Sequence, residues 1–417
     1  MTFLRSLLFA SFVLAACASD AQQKAQDGQK ALAACDMRTA HQDFSAAYDE
    51  DSSDPSIALA FALSDVTLLA EDPALETLRP RFGFTQPFDT TFLWKQGGLL
   101  DQLSQKTATC SSLGDFVRSN LSHPSLAKTN PTPFLDTLDK TMTLGDLRAA
   151  GLALSPRLDK LSAALKTAAD ATGADGVEIK GGCGAADFVL QKPELYALAG
   201  AFTLMHAVFQ LLAVYDGNVD VWALFTEIAG DSGAESQFVS DMNASFLHVA
   251  DASQAPAAKD LWEHAFDLFG SAIGAARAVK TTPPNAIVDW TSFPAPILAD
   301  AAQLAQAAHD VFEGPTAIPF LSPAVTVDGP SLISSPLELA PLTPAAFALD
   351  ANGDVTFDSD PVTARLGARM TPDPFQSGGS YSWSFVDDVS NATDAQPDWW
   401  QPTFDPNKRF TSTYSCQ

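Results

Sequence analysis

The sequence predicts a mainly α protein: a multi-helix, repeat-like or bundle body with a small β-rich C-terminal cap. Three observations lead there. Apolar residues recur at helical spacing, as in Leu158, Leu161, Leu165 and Ala168, and again in Leu261, Ala265, Leu268, Phe269, Ala272 and Ala276. Helix start and stop signals bracket several of these stripes. From Thr316 onward prolines become frequent and short alternating patterns replace the stripes.

The chain opens with an apolar stretch, residues 3–16, that carries one positive charge, Arg5. It is shorter than the ~20 residues of a membrane span. With a small-residue exit it reads as a removable export leader. The stretch ends in Leu14, Ala15, Ala16 and Cys17. This run resembles the lipobox of bacterial lipoproteins. The resemblance implies that residues 1–17 are a lipoprotein signal peptide and that Cys17 is the acylated, palmitate-bearing mature N-terminus. Several chains hold firmly, since each buried methylene contributes ~0.8 kcal/mol. Ala18, where that family uses aspartate for inner-membrane retention, implies the outer membrane, facing the periplasm or the cell surface.

Residues 18–72 read as a polar tether followed by helical hairpins. Gly28 falls in the first helix. Ala40, Phe44 and Ala47 give the second a small–aromatic–small face, and Asp54-Pro55 closes the unit before a third helix, residues 57–69. This pattern resembles a degenerate tetratricopeptide repeat. The resemblance implies stacked hairpins with a groove for a peptide or protein partner. Such units need a stacked neighbour to bury their faces, so the rest of the chain must supply one. Phe44, Tyr48, Asp49, Glu50 and Asp51 are the contact residues this reading selects.

Residues 73–315 read as the helical body. Prolines from Pro73 to Pro87, with Gly83, break the pattern before helices resume. Thr143 and Asp146 have capping-box spacing, and Gly151 reads as a stop. Ser155-Pro156 reads as a cap with proline at the first helical position. Val177–Lys180 is a short strand candidate. Residues 195–214 are apolar enough to suggest a membrane span, but Thr203, His206 and Gln210 within them favour a buried core helix. Ile297, Ala301, Leu304, Ala308 and Val311 make another stripe, ended by Gly314-Pro315.

Residues 316–417 form the expected cap. Residues 347–357 alternate around Asn352-Gly353, a strong hairpin signal. Within that turn Asp350, Asn352, Asp354 and Asp358 have the alternate oxygen spacing of a calcium loop. Val355 and Pro361 stand where such a loop needs glycine and glutamate, so the turn explains the same residues without Ca2+, and no other cofactor is indicated. Tyr381, Trp383, Trp399, Trp400 and Phe404 gather aromatic surface near the C-terminus.

The net charge is −26. A field of that sign repels nucleic acid and anionic lipid. Five cysteines become four once Cys17 is lipidated, an even number suited to an oxidising compartment. Three pairings of Cys35, Cys110, Cys183 and Cys416 exist; Cys35 with Cys110 and Cys183 with Cys416 is preferred, and buried free thiols are the alternative. Gly230-Asp-Ser-Gly233 and Ser125-Leu-Ala-Lys128 match fragments of hydrolase motifs but lack their partner motifs. His264 and Asp267 could share a helix face as a ligand pair, and His206 reads as a hydrogen-bonded core histidine.

No catalytic motif is evident. The expectation is a lipid-anchored cell-envelope protein that binds a protein or peptide as a scaffold or assembly factor. The alternative is a solute- or carbohydrate-binding lipoprotein with a cleft near the C-terminal aromatics.

Overall fold

The computed structural model describes residues 19–82, 139, 141–179, 187–218, 240, 248–293 and 295–319, and short stretches beyond: 321–322, 325–334, 347–349, 355–357, 370–371 and 382–383. The described chain is mainly helical. Its helices are α1 Asp20–Ala33, α2 Met37–Glu50, α3 Pro55–Thr67, α4 Pro73–Leu78, α5 Leu144–Ala171, α6 Lys192–Leu212, α7 Ala255–Ala278, α8 Ala295–Asp310 and α9 Gly329–Ser334.

The long helices pack in sequence order. α1 lies on α2, α2 on α3, α3 on α5, α5 on α6, α6 on α7 and α7 on α8. Neighbours run antiparallel, as paired contacts show. Lys24 reaches Glu50 while Gly28 lies under Phe44. Phe61 meets Lys160 while Asp65 meets Arg157, and Asp159 meets His206 while Ser162 meets Thr203. Gln210 meets Gln254 while Gly200 lies against Phe269. The result is a serial array in which each helix is supported mainly by its chain neighbours. One apolar core runs through it, from Ala21 through Phe44, Phe61 and Leu158 to Leu195 and Leu268. The neighbour needed by the N-terminal hairpin is therefore α5.

Local chemistry sets the first turns. At the end of α1, Cys35 takes a left-handed conformation, φ 62°. The Cys35 N–H donates to the Leu32 carbonyl (3.0 Å) and the Asp36 N–H to the Ala31 carbonyl (2.9 Å). These are the two bonds of a Schellman closure, a place that usually falls to glycine. Asp36 then caps α2 by accepting from the Thr39 N–H at 3.1 Å. Asp54 caps α3 by accepting from the Ser56 N–H at 2.8 Å, with Pro55 at the first helical position. The α1–α2 crossing depends on Gly28: a Cβ there would sit 2.7 Å from the Phe44 ring.

The Thr143–Asp146 capping box is present in both directions. Thr143→Ala removes the bond to the Asp146 N–H, and urea unfolding should show a loss of about 1 kcal/mol; a loss under ~0.3 kcal/mol would contradict the cap's contribution.

α5 corrects the expected break. It runs unbroken for 28 residues with Pro156 inside it. Gly151 is not a stop; it is a point of close approach, where a Cβ would lie 2.2 Å from the Phe209 ring of α6. Pro156 forfeits one intrahelical hydrogen bond, yet Leu154, Leu158, Leu161 and Leu165 on either side are all buried, and their packing carries the helix through.

α6 is also more exposed than a core helix. Leu195, Ala199, Phe202 and Ala207 are buried, but Leu198, Met205, Val208, Leu211 and Leu212 are exposed on another side. α6 is long and apolar enough to cross a membrane, with mean hydropathy 1.6.

Short strands accompany the helices. β1 Val177–Ile179 pairs antiparallel with β2 Phe188–Leu190. Further on, β3 Thr316–Ala317, β5 Thr326–Val327 and β8 Met370–Thr371 form a three-stranded sheet in the order β3-β5-β8. β4 Leu321–Ser322 pairs with β9 Ser382–Trp383. β6 Phe347–Leu349 pairs with β7 Val355–Phe357 with Phe347 opposite Phe357, the register of the hairpin expected around Asn352-Gly353.

Candidate functional site

An open cleft of ≈ 580 Å³ lies where α2, α3 and α5 meet. Arg38, His41, Gln42 and Ser45 enter from α2, Phe61 and Asp65 from α3, and Pro156, Arg157 and Lys160 from α5. The α2 residues recur at three- and four-residue spacing. They form the face opposite Ala40, Phe44 and Ala47, which points into the core.

The floor is aromatic. Phe61 is 2% exposed and stacks on Tyr48 with centroids 4.7 Å apart and planes 6° apart. His41 also stacks on Phe61, with centroids 5.9 Å apart and planes 28° apart. The Lys160 ammonium sits 4.8 Å from the Phe61 centroid and 2.7 Å from an Asp49 carboxylate oxygen. An ammonium held over a ring face is attracted by its quadrupole.

Behind the floor lies a buried ion network. The Asp65 side chain is only 4% exposed, and the Arg157 guanidinium binds it through Nε at 3.0 Å and a terminal nitrogen at 2.8 Å. Arg157 also donates to Asp72 at 2.9 Å and to the Asp65 carbonyl at 3.1 Å. Burial works against the Arg157 charge, but its bonds to Asp65 and Asp72 outweigh that and hold it above the ordinary arginine range. Arg38 forms a two-point pair with Glu71 at 2.9 and 3.0 Å on the rim. The Gln42 and Ser45 side chains make no hydrogen bond among the described residues and line the same opening.

His41 Nε2 lies 3.3 Å from Asp65 and Nδ1 3.3 Å from the Ser64 hydroxyl. Burial pushes its pKa down; Asp65 opposes this, while Arg157 and Lys160 reinforce it. His41 is therefore neutral at neutral pH. Serine, histidine and aspartate adjoin here, but Ser64 is buried and its hydroxyl donates to the Phe61 carbonyl at 2.9 Å. That hydroxyl is committed inside α3, so the trio ties α2 to α3 and presents no nucleophile to the cleft.

Of the residues expected at a contact surface, Phe44 and Tyr48 are core, 2% and 6% exposed. Phe44 seals the α1–α2 crossing and Tyr48 supports Phe61 from beneath. Asp49 reaches the cleft rim through Lys160. Glu50 pairs with Lys24 and so closes the far end of the α1–α2 hairpin. Asp51 accepts from the Ser53 N–H and hydroxyl in the turn before α3. Sequence reasoning missed Arg38, His41, Gln42, Arg157 and Lys160. The polar spacing along α2 held a signal for the first three.

Cys35 is exposed and disulfide-bonded. Cys17, Cys110, Cys183 and Cys416 lie outside the described residues, as do Asp350, Asn352, Asp354, Asp358, Trp399 and Trp400, the Gly230–Gly233 and Ser125–Lys128 motifs, and the side chain of Trp383. His206 is largely buried and bonds to Asp159 at 2.7 Å. Asp267 faces His309 of α8 at 3.5 Å instead of pairing with His264. Among the described residues no three histidine, cysteine, aspartate or glutamate side chains gather as a metal site.

No protein-family model, curated protein or solved structure matches the chain.

Proposed function

We propose that this chain is a lipid-anchored cell-envelope protein that binds a protein or peptide segment in the α2–α3–α5 cleft, acting as a scaffold or assembly factor. The observation that carries the reading is the cleft itself. It is open, concave and aromatic-floored, with Gln42 and Ser45 free to pair with a backbone laid along it. Its place on a serially packed hairpin supports the tetratricopeptide-like reading, as does the Gly28–Phe44 crossing. The lipobox-like run ending at Cys17 supports anchoring at the outer membrane through acyl chains. The disulfide at Cys35 accords with an oxidising compartment. The short strands after Thr316 accord with a β-rich cap over the end of the array. The charge of −26 argues against nucleic acid as the partner.

A photo-crosslinking residue placed at Gln42 in the full chain, expressed in cells, tests the reading. One adduct of defined mass is expected from Gln42, and none from the same probe at the exposed Gln303 on α8. No adduct from Gln42, or the same adducts from both positions, would overturn it. Acyl labelling of the chain that disappears in Cys17→Ser checks the anchor separately.

A further inference from the structure

The start of α6 holds three buried polar atoms that find no hydrogen-bond partner: Gln191 Oε1, Glu194 Oε1 and Trp290 Nε1. Gln191 is 1% exposed and Glu194 8%. Glu194 Oε2 accepts from the Gln191 N–H at 3.2 Å, one half of a capping box. The Gln191 amide nitrogen donates to the Val288 carbonyl at 3.0 Å, which fixes the amide orientation and leaves Oε1 as an acceptor. The segment so gripped, residues 283–293, joins α7 to α8. It is also threaded onto β2: the Val189 N–H donates to the Asn285 carbonyl at 2.8 Å and the Ile287 N–H to the Val189 carbonyl at 3.3 Å.

Glu194 Oε1 is a buried acceptor with no hydrogen-bond partner. A proton on that oxygen removes the buried charge and makes the group a donor. An ionised carboxylate has no such outlet and must stay in a desolvated place. We propose that Glu194 is a proton-operated latch. Protonated, it clamps residues 283–293 against the start of α6; ionised, it loosens that segment, the proton passing to solvent.

The electrostatics point the same way. Burial pushes the Glu194 carboxyl up to about 7, against the opposing pull of its own N–H, the Trp290 indole and the N–H groups of Gln191 and Val288. The Trp290 indole N–H is buried and makes no hydrogen bond of normal geometry. Among the described residues Glu194 makes no ion pair. Lys192, on the same turn, faces the Asp170 carbonyl and the Tyr196 ring. Asp289 of the clamped segment is taken by Thr282 and Thr291. Glu178 of β1 is exposed, as are Arg277 and Lys280 at the end of α7. A folded value above the unfolded 4.5 means that clamping is full below pH 4.5 and is lost as pH rises through about 7.

Hydrogen exchange of the full chain, corrected for the intrinsic pH dependence of exchange, tests this. Protection of residues 283–293 should fall about tenfold between about pH 6 and pH 8.5, since each unit of proton linkage is a factor of ten. Glu194→Gln, which keeps a neutral donor in place, should show the same protection at both values. No fall in the native chain, or an equal fall in the variant, would overturn the latch. Should the variant not fold, the native chain with 13C-labelled glutamate carboxyls decides. One carboxyl titrating near pH 7 in step with the Trp290 indole resonance supports the latch; all glutamates titrating in the ordinary range overturn it.

Discussion

Arg157→Met should lower the unfolding free energy by about 3–5 kcal/mol, read as a shift of the urea midpoint at constant m-value. The reason is the partner left behind. Asp65 is 4% exposed at its side chain and draws its main support from the guanidinium, at 2.8–3.0 Å. Without Arg157 its nearest charged-capable neighbour is His41 at 3.3 Å, a ring that burial keeps neutral. An uncompensated buried carboxylate is among the costliest single defects a core can carry. Asp72 loses a partner as well, but its side chain is more exposed at 15% and water can replace part of the bond. The double variant Arg157→Met with Asp65→Asn should recover a large part of the loss, because the charge leaves with its partner. A single-variant loss under ~1 kcal/mol, or strictly additive losses in the double variant, would show that Asp65 is not held by Arg157 in the folded state.

The same network shows which parts of this molecule could be read along the chain. The α1–α2–α3 hairpins were legible because each is fixed locally: a glycine under Phe44, an aspartate cap with proline after it, and small residues at the crossing. The Thr143–Asp146 box and the pairing of β6 with β7 were legible for the same reason. Gly151 and Ser155-Pro156 misled because the signal of a break and that of a close approach are the same residues. Only the Phe209 ring of α6 distinguishes them, and it comes from a distant part of the chain. The cleft failed for a like reason. Arg157 and Asp65 stand 92 positions apart, and no local pattern marks such a pair. Phe44 and Tyr48 looked available for contact because an aromatic on an amphipathic helix has no sign saying which neighbour will cover it. Here α1 covers one and α3 the other.

Phe61 joins stability to the cleft, and its variants separate the two. Phe61→Ala should cost about 3–5 kcal/mol, since a ring 2% exposed is removed from the contact of α2, α3 and α5. Part of that is the loss of a parallel stack on Tyr48, a pairing of about 0.5–1.5 kcal/mol beyond burial. Phe61→Leu keeps apolar bulk and should cost less than ~1.5 kcal/mol. It removes the ring face, however, and with it the platform that holds the Lys160 ammonium 4.8 Å from the centroid. Lys160 would then keep the more distant Tyr48 ring, 5.6 Å from its ammonium, and Asp49, in a pair exposed enough to contribute under ~1 kcal/mol. The Leu variant should therefore stay folded while adduct yield from the probe at Gln42 falls severalfold. If the yield were unchanged in a folded Leu variant, the aromatic floor would be a device for packing α3 only, and partner recognition would have to come from the polar rim of Arg38, Gln42 and Ser45. That outcome is distinguishable, because Arg38→Ala would then cut the yield without shifting the urea midpoint, its pair with Glu71 being 72% exposed on the arginine side.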